Sequence, residues 1–153
     1  ISGGMLTVSV VLADKNIMEV IKPGQHGSTY GGNPLAARVA CVALDVLIDE
    51  KLDQQAMILG QEMATQLQIL KADCSWISAT RGKGLLHAIE LDDDKESKAG
   101  WNICVAMARQ GLLAKPTRGN IIRLAPPLTI SPTELQEAMD IIKQVMMLHM
   151  AIA

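Results

Sequence analysis

The chain has 153 residues, 49% of them apolar, enough for one average domain or parts of two with a real core. Its formal charge is -2 and its 14 Lys and Arg residues are scattered, which excludes a nucleic-acid footprint and a polybasic membrane patch but leaves acidic small molecules as admissible ligands. Cys41, Cys74 and Cys104 are far apart and form no CxxC pair, so reduced thiols in a reducing compartment are expected rather than a disulfide frame. His26, His87 and His149 are equally dispersed, and without HExxH or Cys/His spacing no metal site is expected.

The opening "ISGGMLTVSVVLADKN" has no initiator Met and no basic n-region. It does not read as a signal peptide, its apolar run is too short to span a bilayer, and it resembles a chain entered in mid-domain. Thr7 to Leu12 is a β-branched run suited to a strand buried on both faces, as in a parallel sheet. Pro23-Gly24 then breaks regularity ahead of the loop "HGSTYGGNPL". Asn33 sits where an N-cap belongs and Pro34 at the first helical position, so a helix is predicted from there to about Glu50. It is apolar over most of its circumference, with Arg38, Asp45 and Asp49 on one stripe, the pattern of a helix buried between layers or at an interface.

A second helix is predicted from about Asp53 to Lys71, with Ala56, Leu59, Met63, Leu67 and Leu70 on its apolar face. Gly60 inside it costs about 1 kcal/mol relative to Ala unless close packing compensates. "SWISAT" and "LLHAIEL" read as strands joined by "RGKG", and "LLAKP" and "IIRLA" as a second pair around "TRGN". Between the pairs a helix from about Ser97 to Gln110 should stop at Gly111. Ser131, Pro132 and Glu134 form a capping box opening a terminal helix to about Met150. The sum is one parallel-sheet strand, a long helix containing the domain boundary, and a compact α+β unit whose antiparallel sheet is covered by helices on one face.

Three places could carry chemistry. In "HGSTYGG" the glycine N–H groups and the Ser28 and Thr29 hydroxyls suit a phosphate or carboxylate, although a loop that caps itself through Ser and Thr has the same composition. In "RGKGLL" two cations beside glycines could hold an anion or simply be a solvated hairpin turn. Arg123, inside the apolar "IIRLAPP", needs a carboxylate partner if buried, from substrate or protein. Lys115, His87 and Cys104 read as structural or solvated. No nucleophile has an adjacent base, and no pair of carboxylates is placed for acid/base work.

"SGGMLTVSVVLAD", "HGSTYGGNPLAARVA", "RGKGLLHAIE" and "GLLAKPTRGNIIRLAPPLTI" together resemble the C-terminal part of the class-III, fold-type-I pyridoxal-phosphate aminotransferases, and the likeness covers essentially the whole chain. "HGSTYGGNP" marks the class, while "GLLAKPTRGN" with "IIRLAPPL" points to its ornithine-using branch. The resemblance implies an α/β fold overall, with residues 1–33 ending the large cofactor-binding domain, 34–51 forming an interdomain helix and 52–153 a small α+β domain. It implies transfer of the δ-amino group of ornithine to a 2-oxo acid, 2-oxoglutarate, with pyridoxal 5'-phosphate as the cofactor. It further implies a homodimer in which Thr29, with Ser28 beside it, reaches the cofactor phosphate of the neighbouring subunit.

Arg123 matches the arginine that pairs with an active-site glutamate and switches between the two substrates. The Schiff-base lysine is expected just before Ile1, so no catalytic residue lies in this chain, which is expected to be inactive alone. His87, where the ornithine-using enzymes often carry Asn, and the absence of Phe are departures from the pattern. Acetylornithine or another ω-amino acid is the alternative substrate, and a non-catalytic folding or interaction module is the alternative of another kind. The expected location is intracellular, cytoplasmic or in the mitochondrial matrix.

Overall fold

The computed structural model describes residues 1–150, without the side chain of Met150; residues 151–153, the end of the predicted small domain, lie outside them. The chain divides into two compact units, Ile1–Lys51 and the remainder from Leu52.

The first unit holds α1 (Lys15–Met18) and α2 (Pro34–Asp49). The start of α2 follows from two residues: Asn33 Oδ1 accepts from the N–H groups of Leu35 at 2.9 Å and Ala36 at 3.2 Å, and Pro34 has no N–H to satisfy. Lys51, at φ 51°, ends the helix in the left-handed conformation that usually falls to glycine. One expectation fails here, and for α2 burial between layers of its own unit is only partial. Thr7–Leu12 forms no strand: a strand buried on both faces needs hydrogen-bonded neighbours, and no backbone hydrogen bond pairs it with another described segment. Within α2 only Ala40 is buried, and Leu35, Val42, Leu44, Val46 and Ile48 are exposed. Ala36, Val39, Ala43 and Leu47, on the side of Ala40, are half-buried, and the other apolar positions of the helix are left uncovered by the unit.

The second unit is two-layered. Its sheet, in the order β1-β2-β4-β3, is antiparallel throughout: β1 (Ile77–Lys83), β2 (Leu86–Leu91), β3 (Lys115–Thr117) and β4 (Ile121–Leu124). Helix α3 (Leu52–Asp73) packs on β1 and β2, α4 (Ala99–Arg109) on β3 and β4, and α5 (Pro132–Met150) against both helices. Alternation along the strands decides which side faces them: His87, Ile89 and Leu91 of β2 and Ile122 and Leu124 of β4 are buried, while Arg123 is exposed between its two neighbours. Leu59, Met63, Leu67, Ile103, Met107, Met139 and Ile142 complete the core. Long unbranched Met side chains fill what aromatic rings fill elsewhere.

Local chemistry explains most boundaries. Gly111, at φ 94°, follows α4 as the stop residue predicted for it. That helix starts two residues late, at Ala99. The Ala99 N–H donates to Ser97 Oγ at 3.2 Å and the Gly100 N–H to the Gly119 carbonyl at 2.8 Å, so the "TRGN" turn itself satisfies an orphan amide of α4. The capping box forms in full: Ser131 Oγ accepts from the Glu134 N–H at 3.2 Å, and Glu134 Oε2 accepts from the Ser131 N–H at 2.8 Å. The Ser131 hydroxyl, which donates to Glu134 Oε2 at 2.7 Å, and the Ser131 N–H hold the Glu134 carboxyl below the usual carboxylate range.

The first hairpin is tighter than "RGKG" implied. Lys83 pairs with Leu86, leaving Gly84-Leu85 as a two-residue loop, and Gly84 at φ 54° takes the first central position that such loops reserve for glycine. Gly60 is the counterpart of this turn. A Cβ on Gly60 would overlap the Gly84 carbonyl, so α3 rests directly on the hairpin backbone and the helix glycine is a packing requirement. Gly60→Ala, which in a free helix would gain about 1 kcal/mol, is therefore expected to cost about 1–3 kcal/mol by overpacking. Urea unfolding measures this, and an unchanged or raised midpoint would contradict the contact.

Candidate functional site

The loop carrying Ser28 and Thr29 is exposed and shaped by its own hydroxyl. Gly31 N–H donates to Ser28 Oγ at 3.0 Å, and a Cβ on Gly31 would stand 3.0 Å from Ser28 Cβ, so an added side chain there would crowd the folded-over serine. The self-capping loop foreseen from composition is thus present. It does not use up the donors: the Ser28 O–H remains free to donate, and Thr29 Oγ1 has no hydrogen bond among the described residues. Two neighbouring hydroxyl donors beside Gly27 are a donor set that suits phosphate oxygens.

Arg123 does not meet the condition attached to it in the sequence. It is exposed, on the face of the sheet away from the helices, and no carboxylate lies within ion-pair distance among the described residues. The strand register places it in a row that crosses all four strands: Arg81 opposes Ala88, Ala88 opposes Arg123, and Arg123 opposes Lys115. In the next row Ala79 opposes Glu90, Glu90 opposes Ile121, and Ile121 opposes Thr117. Glu90 is engaged by the Arg81 guanidinium. Lys83, beyond Arg81 on β1, adds another cation to this face.

The sequence candidates are divided between the two units. Ser28 and Thr29 belong to the first unit and Arg123 to the second. "RGKGLL" is the hairpin, its Arg81 paired with Glu90 and its Lys83 exposed. His87 is buried, its Nε2 2.8 Å from the Gly84 carbonyl oxygen, and serves the turn. Sequence reasoning missed the position of Lys115 across from Arg123; alternation in the short "LLAKP" and "IIRLA" segments signals their faces, but only pairing reveals the register. It also missed an open cleft of about 630 Å³ bordered by Ser97, Lys98, Trp101, Pro116 and Arg118. No group of His, Cys, Asp and Glu fit to hold a metal occurs among the described residues.

Residues 1–146 match the family model described as aminotransferase class-III. The chain belongs to the class-III aminotransferase family. This class-III aminotransferase chain is 52% identical over 144 residues to the ornithine aminotransferase of Saccharomyces cerevisiae, covering 93% of the chain and 34% of that relative. It is 49% identical to the mitochondrial ornithine aminotransferase of Drosophila melanogaster, covering 94% of the chain and 32% of the relative. Among solved structures, the acetylornithine aminotransferase of Elizabethkingia anophelis superposes with a TM-score of 0.84 at 53% identity, over 95% of this chain and 36% of that one. The ornithine delta-aminotransferase of Plasmodium falciparum gives a TM-score of 0.81 at 40% identity, over 93% and 36% of the two chains. The class-III chain thus spans about a third of the length of the curated relatives it matches. No helix among its described residues is long and apolar enough to cross a membrane.

Its cysteines differ sharply in environment. Cys41 is exposed, Cys74 is fully buried, and burial pushes the Cys104 thiol up to about 11. Since the thiolate is the reactive form, one thiol per native chain, Cys41, is expected to react promptly with iodoacetamide at about pH 8. Cys74 and Cys104 should react only in denaturant, and prompt labelling of either in the native chain would contradict the core packing.

Proposed function

We propose that the chain works within a pyridoxal-phosphate aminotransferase that moves the δ-amino group of ornithine to 2-oxoglutarate, giving glutamate-5-semialdehyde and glutamate. The observation that carries this reading is the 49–52% identity to ornithine aminotransferases over nearly the whole chain. The free hydroxyls and the unpaired arginine support it. Pyridoxal 5'-phosphate, when bound, supplies the carbonyl that takes up the amino group and a ring that accepts the electron pair released at the donor carbon.

The chain's own residues bind and select. Thr29 Oγ1 and the Ser28 hydroxyl donate to the phosphate of a cofactor held by the neighbouring subunit of a homodimer. The exposed apolar residues of α2, which have nothing to cover them in their own unit, are the kind of surface such a dimer buries. Arg123, with its guanidinium free, holds a glutamate of the enzyme while the amino donor is bound and releases it for a carboxylate of the incoming 2-oxo acid. The lysine that holds the cofactor lies outside the chain in this reading, so residues 1–153 alone provide binding groups without a reaction centre. Free cysteines accord with an intracellular location, cytoplasmic or in the mitochondrial matrix.

A second reading has its own support. The acetylornithine aminotransferase of Elizabethkingia anophelis is 53% identical to this chain, so acetylornithine competes with ornithine as the amino donor. Comparing kcat/KM for the two donors in the full-length protein, with 2-oxoglutarate as acceptor, decides between them. Ornithine is expected to be preferred, and a preference for acetylornithine would replace the first reading by the second. In the same protein, Thr29→Ala removes a charge-assisted hydrogen bond of about 1.5–3 kcal/mol. The cofactor dissociation constant should therefore rise roughly tenfold to a hundredfold, and an unchanged dissociation constant would remove Thr29 from the phosphate site.

A further inference from the structure

The open face of the sheet carries more positive charge than its one carboxylate can offset. Arg81, Lys83, Lys115 and Arg123 share that face with Glu90, and Glu90 is taken by Arg81. Lys115 and Arg123 are direct cross-strand partners, with Cα atoms about 4.5–5.5 Å apart as such partners are. Like charges placed directly opposite destabilise a sheet. On its other side Arg123 meets only Ala88, which offers no charge, and Lys115 stands on the edge strand β3 with no neighbour beyond it. Both side chains are exposed, and neither has a carboxylate within ion-pair distance among the described residues. Two adjacent, uncompensated cations form a surface that strongly favours an anion and disfavours a cation.

We propose that Lys115 is a specificity-determining residue: directly across from Arg123, it adds a second positive charge to the surface that receives the acceptor, favouring a dicarboxylate 2-oxo acid over the cationic amino donor. The proposal rests on the aminotransferase reading and on the role given there to Arg123. Its sign is distinctive. 2-Oxoglutarate carries two carboxylates, whereas ornithine carries one carboxylate and two ammonium groups, so the Lys115 charge acts on the two substrates in opposite directions.

The test replaces Lys115 by Met, which keeps the length and loses the charge, in the full-length protein. Lys115→Met is expected to raise the KM for 2-oxoglutarate roughly five- to tenfold, to leave the KM for ornithine unchanged or lowered, and to be rescued by Lys115→Arg. Equal increases in both KM values, or no change in either, would overturn the proposal. Glutarate, a dicarboxylate with no oxo group to react, keeps the two readings apart. Its binding, measured by calorimetry, should weaken by the same factor in Lys115→Met. A wild-type protein that binds glutarate in this Lys115-dependent way yet transfers no amino group would sink the aminotransferase reading and leave the charged surface standing. Active protein with glutarate binding indifferent to Lys115 would sink only the proposal.

Discussion

Everything in the second unit depends on how closely α3 approaches the first hairpin. Gly60 and Gly84 meet backbone to backbone, with no room for a Cβ on the helix. The contact sets the height of α3 over β1 and β2, and the two-residue turn at Gly84 sets their register. Shifting that register by one residue would turn every side chain of the strand to the opposite face. His87, Ile89 and Leu91 would leave the core, and Ala88 and Glu90 would enter it. Since β2 also pairs with β4, and β4 with β3, the turn indirectly decides that Arg123 and Lys115 face away from the helices.

The electrostatics of the open face follow from this framework. The central position of the charged row belongs to Ala88, whose short side chain separates Arg81 from Arg123 without shielding either. Glu90, one row over, lies diagonally to both arginines and is bound to Arg81. The cations are not evenly placed: toward the β1 edge Arg81 is compensated and Lys83 stands beyond it, whereas toward the other edge Arg123 and Lys115 are direct cross-strand neighbours with no carboxylate between them. A surface arranged in this way has a preferred place for a carboxylate.

The sequence was most legible where a single residue solves a local problem. Asn33-Pro34 satisfy the first amides of α2, Ser131 and Glu134 those of α5, and Gly111 takes the left-handed stop after α4. Elements whose stability lies in distant partners were harder to read. Thr7–Leu12 has the composition of a buried strand, yet composition carries no neighbour to pair with. The apolar stripe of α2 was legible as a pattern, but the pattern alone left burial between layers and burial at an interface as equal alternatives. The function of Gly60 was left between close packing and weakness, because its partner is 24 positions away at Gly84. At the candidate site, the motif around Ser28 and Thr29 identified the donors but not that Ser28 also builds its own loop. Arg123 was identified as an anomaly in an apolar strand; the row of charges to which it belongs exists only through strand pairing.

The short strand β3 has a further consequence. A sheet that ends in free N–H and C=O groups is a template for unwanted pairing with another chain. Pro116 removes a donor from the middle of this edge, and Lys115 beside it would have to be desolvated by any approaching strand. At the opposite edge β1 is broken by a register shift between Ile77 and Ala79 and carries Arg81 and Lys83. The cations of the open face thus also guard the two edges of the sheet, and replacing one by a neutral residue would both lower the positive charge of the face and ease pairing of that edge with another chain.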